Sequence, residues 1–220
     1  RLATQVMSQG DPRDPWWTPA PLFDWPSEPG PIKVAYTKQA YGYPIHADIA
    51  EALDSAAQYL RDAGYLVEEV ETPSIAEPSK AWFNALVHEI ESTLRPVARQ
   101  HGSADINKVF DFFVQMGDGI DAARYRDDVA ARTAMTREWS VFLARYPLVL
   151  TPFMMRPTYP WNYDVQGFEQ THDMMTSAIY STGINYLGLP AGVVPGGMVD
   201  GLPSGVQVVG RRFREDLILD

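Results

Sequence analysis

The chain has 220 residues, 45% of them apolar and 21% charged, which fits a folded protein of one or two domains and excludes a disordered one. It contains no cysteine, so disulfides, thiolate zinc sites and a cysteine nucleophile are excluded. Its 18 basic and 28 acidic residues leave a net charge of −10, which argues against duplex DNA and anionic membrane surfaces, and no run of about 18 apolar residues marks a membrane span.

The first ten residues, RLATQVMSQG, read as the end of a helix stopped at Gly10. Residues 11–31 are crowded with proline, which removes backbone donors and blocks helix, so an extended connector is expected. Trp16, Trp17 and Trp25 within it predict that it packs on a neighbour. A strand follows at IKVAYT (32–37). Asp48 and Glu51 then stand at capping-box spacing, and Ile49, Leu53, Ala56 and Leu60 recur at helical spacing up to Gly64. YLVEEVE (65–71) is the returning strand, so strand, helix and strand fit a parallel crossover.

Residues 76–146 read as a helical insertion of three helices. Trp82, Leu86, Ile90 and Leu94 mark the first face. Val109, Phe112, Phe113 and Met116 mark the second, and MGDGID (116–121) the connector after it. Tyr125, Val129, Trp139, Phe142 and Leu143 mark the third. PLVLTPFM (147–154) is a buried strand that runs into the loop TPFMMRPTYPWNYD, and a helix is expected over 168–181. AGVVP and SGVQVVG are strand candidates joined through an Asp200-Gly201 turn, and EDLILD begins a further helix. The fold class is therefore α/β, a mixed sheet with flanking helices and a helical insertion.

Chemistry is sparse on this pass. The serine-hydrolase elbow G-x-S-x-G, the S-x-x-K pair, the Walker A loop and G-x-G-x-x-G are all absent. Ser79-Lys80 are neighbours on a helix and point apart, which reads as a solvated helix start. His88-Glu89 is half of H-E-x-x-H, but Ser92 occupies the second histidine position, so His88 reads as packed or surface; His172-Asp173 reads likewise. Asp11, Arg13 and Asp14 read as turn caps and an ion pair. No metal site and no cofactor is expected. Glycine and proline concentrate in the tail, at Gly188, Pro190, Pro195, Gly196 and Gly205. Backbone held to tight paths there can line a pocket.

That tail carries a resemblance. NYLGLPAGVVPGG (185–197) followed by GLPSGVQVVGRRFREDLIL (201–219) resembles the C-terminal segment of the amidase signature family. Asn185, Gly188, Pro190, Ala191, Pro195 and Gly197 match its first half. Gly201, Leu202, Pro203, Gly205, Gln207, Gly210, Glu215 and Leu217–Leu219 match its second. DPRDP (11–15) and VLTP (149–152) also resemble family stretches, whereas the insertion at 76–146 matches only in kind.

The resemblance implies the C-terminal part of one large amidase domain over residues 1–220. It also implies hydrolysis of a linear carboxylic amide by a Ser–cis-Ser–Lys triad. No residue of this chain matches that triad or the Gly/Ser-rich oxyanion stretch, so no catalytic residue is assigned. The missing stretch, the start at Arg1 and the helix still running at Asp220 lead to the expectation that the triad precedes Arg1. The isolated residues are then expected to be inactive. The family resemblance places Phe153, Met154, Trp161, Thr182 and Asn185 near the substrate, and aromatic and Met walls would suit an apolar or aryl amide. The expected partner is a small-molecule amide, without direct nucleic-acid or membrane binding, in the cytoplasm; a homodimer is left open. The alternatives are the glutaminase subunit of a tRNA-dependent amidotransferase and a non-catalytic lobe.

Overall fold

A computed structural model describes residues 1–220 apart from Pro21, Ser27, Asp118 and Gly119. The connector expected at 116–121 therefore falls partly outside the described residues. A short helix α1 (Leu2–Met7) leads into the connector, and strand β1 (Lys33–Tyr36), helix α2 (Ala47–Asp62) and strand β2 (Leu66–Glu69) form the expected parallel unit. The cap of α2 differs from the expectation: His46, not Asp48, is the N-cap, its Nδ1 accepting from the Asp48 amide at 3.4 Å. Gly64 closes the helix with a φ of +93°, which a side chain would strain.

The insertion is helical, with more pieces than the three expected. Helix α3 (Ala76–Glu89) runs through a π-helical turn (Ile90–Leu94) into α4 (Arg95–His101), and α5 (Ala104–Met116) and α6 (Ala122–Arg145) follow. The buried residues of α3 are Pro78, Ala81, Asn84 and Val87, and the stripe continues to Ile90. Of the expected face, Ile90 is buried, Trp82 and Leu86 are partly exposed, and Leu94, at the end of the π turn, is exposed. On α6 Trp139 and Leu143 are buried as expected, but in the first half Asp128 is buried while Val129 faces outward. A polar network explains the exchange: Asn84 Nδ2 donates to Asp128 at 2.6 Å and Arg124 Nε lies 3.1 Å from the carboxylate.

Strand β3 (Leu148–Pro152) is buried throughout. The helix expected over 168–181 is two helices, α7 (Phe168–Ser177) and α8 (Ile179–Leu187), so Asn185 stands on a helix. Strands β4 (Ala191–Val199) and β5 (Leu202–Gly210) form the expected hairpin, with positive φ at both Asp200 and Gly201, and the short helix α9 (Glu215–Leu219) follows.

The sheet order is β2-β1-β3-β5-β4, parallel from β2 to β3 and antiparallel beyond. Alternation along β3 divides the core. Val149 joins Ala35, Trp139, Leu143, Tyr180 and Leu187 on one face; Leu148 and Leu150 join Val34, Ile49, Leu53, Val206 and Leu217 on the other. The connector packs less than its tryptophans suggest. Trp16 is 88% exposed, and the anchorage lies further along, where Glu28 pairs with Arg211 and Arg214 and Trp25 lies under the Arg214 guanidinium. Among the described residues no helix is long and apolar enough to cross a membrane.

Candidate functional site

In sheets with parallel strands, ligands gather beyond the carboxyl ends of the strands. Phe153 stands there, immediately after β3. The next residue but one, Met155, is fully buried and fixes two neighbouring segments through its backbone, accepting from the His46 amide and donating to Ser177 O, each at 2.9 Å. Further along the same loop, Tyr163 donates to Asp173 at 3.1 Å, Tyr43 donates to the other oxygen of that carboxylate, and Tyr159 stacks on Tyr163. Burial is the largest cause of the raised pKa of Tyr43, followed by the Asp173 hydrogen bond. These phenols stay protonated, as donors to Asp173 must.

Phe153 forms one wall of a crevice of about 470 Å³. Across it stand Trp82 from α3 and Thr182 and Asn185 from α8, with Val193 of β4 and Gln207 of β5 completing it. The volume suits one small organic molecule. Helix α8 presents Thr182 and Asn185 together because they are three residues apart. It also lies close to the residue before α3: Gly183 packs against Ile75, where a Cβ would come within 2.6 Å of Ile75 Cγ1 and 2.8 Å of its carbonyl oxygen.

The polar atoms of the crevice are partly committed. Trp82 Nε1 donates to Asn185 Oδ1 at 3.2 Å, which leaves the Asn185 NH₂ without a protein partner among the described residues. Gln207 is buried, and its Nε2 donates to Thr151 Oγ1 at 3.1 Å, so its carbonyl oxygen is the group left to accept. The hydroxyl of Thr182 donates to Ala178 O at 3.0 Å and stands 2.7 Å from Ser79 Oγ. Ser79 is thereby half-buried at the α3–α8 contact, while Lys80 beside it near the start of α3 is exposed as read.

The crevice carries no charged side chain among the described residues, and among them no lysine hydrogen-bonds to its serine or threonine to activate it. Ser181 Oγ itself donates to Ala178 O at 3.0 Å. The arrangement can hold a neutral molecule that has an apolar body and both donors and acceptors. Nucleophile and base are not assembled in it. Nor, among the described residues, do three or more His, Asp or Glu side chains converge as a metal site would need.

Of the five residues assigned from the sequence, Phe153, Thr182 and Asn185 meet in this crevice. Met154 lines a neighbouring cavity of about 410 Å³ that shares Phe153 and Val193. Trp161 is 90% exposed and lines neither. The sequence reading missed Trp82, which helical spacing assigned to the core, and did not place Gln207 at the site although it stands in the G-x-Q string of the tail. His88 stacks on Tyr125 at 4.9 Å, a packed histidine as read. Asp11 pairs with Arg13 and Asp14 caps the next turn through the Trp16 amide, also as read.

Comparison with known proteins adds three findings. Residues 1–219 match the family model described as Amidase. The chain is 37% identical over its whole length to indoleacetamide hydrolase from Bradyrhizobium diazoefficiens, covering 42% of that protein. It is 25% identical to a glutamyl-tRNA(Gln) amidotransferase subunit from Streptococcus equi subsp. zooepidemicus, with 97% of this chain and 49% of that one covered. The chain thus spans less than half the length of these curated relatives. Among solved structures, Kluyveromyces lactis allophanate hydrolase superposes over the whole chain with a TM-score of 0.78 at 20% identity, 36% of that chain being covered, which shows the shared fold.

Proposed function

Because the chain belongs to the amidase family, we propose that it supplies the substrate wall and part of the sheet of an enzyme that hydrolyses a neutral, aryl-bearing linear amide. The observation that carries this reading is the uncharged crevice, in which Phe153 and Trp82 flank the amide groups of Asn185 and Gln207. A carboxamide needs a donor for its oxygen and an acceptor for its NH₂, and Asn185 Nδ2 and Gln207 Oε1 are of those two kinds. The rings suit an aryl body. Indoleacetamide hydrolase, a relative named for such an amide, supports the same reading.

On this reading residues 1–220 are the C-terminal portion of a single large α/β domain, with the insertion at 76–146. The Ser–cis-Ser–Lys triad is contributed from outside these residues. There the nucleophilic serine oxygen bonds to the substrate carbonyl carbon as its proton passes through the bridging serine to lysine. Ammonia then leaves with a proton, and water cleaves the acyl-enzyme to the acid. The 220 residues alone bind the amide and do not cleave it. The protein acts in the cytoplasm, without direct nucleic-acid or membrane contact. The glutaminase reading fits less well: glutamine carries an ammonium and a carboxylate, and no charged group lines the crevice among the described residues to receive them.

Equilibrium binding of indole-3-acetamide and of glutamine to the 220-residue chain tests the proposal. The aryl amide is expected to bind and glutamine to remain unbound; the reverse order would sink it. Ammonia release from the amide by this chain alone would overturn the placement of the triad.

A further inference from the structure

A second cavity adjoins the crevice. Trp82 and Thr182 contribute to both, and beyond them a space of about 250 Å³ opens between α3 and α7. Its wall is apolar and sulfur-bearing, from Phe83, Met116, Met175 and Ile179, while Lys80 of α3 and His172 of α7 stand at its exposed margin.

Its charge sets it apart from the crevice. The chain carries 28 acidic residues, yet no carboxylate lines this cavity among the described residues. Lys33 and Lys38 pair with Glu68 and Asp54, and Lys108 donates to Val165 O; Lys80 alone of the four lysines has no oxygen partner among the described residues. Asp173, the carboxylate next in sequence to His172, is occupied by Tyr43 and Tyr163. The His172 ring stacks on Phe168, and its nitrogens have no hydrogen-bond partner among the described residues. An unpaired cation over a pocket of aromatic and thioether groups matches a ring carrying a carboxylate.

We propose that this cavity is a binding subsite for a small aryl carboxylate, its ring against Phe83, Met116 and Met175 and its carboxylate at Lys80. The volume admits one ring and not a drug-sized ligand. The source of the ligand rests on the amide-hydrolysis reading: cleavage converts a neutral amide, suited to the uncharged crevice, into an anion suited to the neighbouring cavity. The binding claim itself does not depend on that reading.

Isothermal titration of the 220-residue chain with sodium phenylacetate and with phenylacetamide tests it. Phenylacetate binds the wild type, about fivefold more weakly in Lys80→Gln and more weakly in high salt. Arg126→Gln removes an exposed charge paired only with Asp127 and leaves both ligands unaffected. The proposal is overturned if the wild type does not bind phenylacetate, if Lys80→Gln binds it as well as the wild type, or if Arg126→Gln weakens it equally. Phe153→Ala reads the crevice separately: loss of phenylacetamide binding with phenylacetate retained supports two distinct sites. Equal loss of both overturns the separate subsite, and failure of the wild type to bind phenylacetamide would count against the amide reading alone.

Discussion

At Phe153 the buried β3 strand turns outward, and the ring, 38% exposed, becomes a wall of two cavities. Truncating a half-exposed ring costs little stability but removes stacking surface. Phe153→Ala is therefore expected to lower aryl-amide affinity by about tenfold, while the melting temperature shifts by no more than a few degrees. A large loss of folding would show that Phe153 is core. Tyr36 offers a pH test. Burial, and next its hydrogen bond to Asp54, push its pKa from 10 up to about 12, because ionisation would place a phenolate in the core beside a carboxylate. A folded-state pKa above the unfolded one means stability that is intact below pH 10 and lost as pH rises toward 12. Melts between pH 9 and 11.5 should show this decline, made shallower by Tyr36→Phe; an unchanged alkaline limb would refute the assignment. In acid the sign is opposite: Asp54, held below 3.8 by Tyr36 and Lys38, withdraws its contribution as pH falls beneath that value.

Helix α8 is placed by contacts at two levels. Gly183 lets it lie against Ile75, and Asp128, Arg132 and Tyr186 lock its far end to α6: Tyr186 OH donates to Asp128 O at 2.9 Å and Arg132 Nε to Tyr186 O at 2.6 Å. Gly183→Ala should cost about 1–3 kcal/mol by overpacking and weaken amide binding, since Thr182 and Asn185 move with the helix. Calorimetry with binding on the same sample checks both, and intact affinity would separate the helix from the crevice. Asp128→Ala strands Asn84 and Arg124 and should cost about 2 kcal/mol in denaturant unfolding. These features mark where the sequence could be read. Strands, hairpin and α2 were legible because alternation and spacing are local. The buried face of α3 was not, since it runs through Asn84, a polar residue whose partner Asp128 lies on α6. Nor was buried Asp128, whose partners lie on α3 and on the helix's own preceding turn, so that nothing in its local spacing predicts burial.

For the molecule as a whole, β4 is an edge strand of nine residues, and its Val193, Val194 and Met198 are exposed, as are Leu2, Val6 and Met7 of α1. Unpaired strand edges with apolar side chains recruit other chains. Light scattering of the 220-residue chain should show association that grows with concentration, and Val194→Lys should reduce it; a monomer at all concentrations would refute this. Fold class was accessible from sequence because the strands, the hairpin and the helices are local patterns. The grouping of Phe153, Thr182 and Asn185 came only through the family resemblance, since Phe153 follows β3 whereas Thr182 and Asn185 stand on α8. The cavity beside Lys80 was accessible by neither route, because it arises from helices almost a hundred residues apart in the chain.

The pairing of Val34 with Leu148 has a kinetic corollary. Over a hundred residues must be looped out before β3 can dock on β1, an entropic cost of about 4 kcal/mol for a flexible loop of that length. The β4–β5 hairpin, closed by two turn residues, faces no such delay. Helices that coil early within residues 76–146 would shorten the effective tether. The order of events is then local hairpin and helices first, central strand last, and amides of β3 should acquire hydrogen-exchange protection later than those of β5 in a refolding pulse experiment.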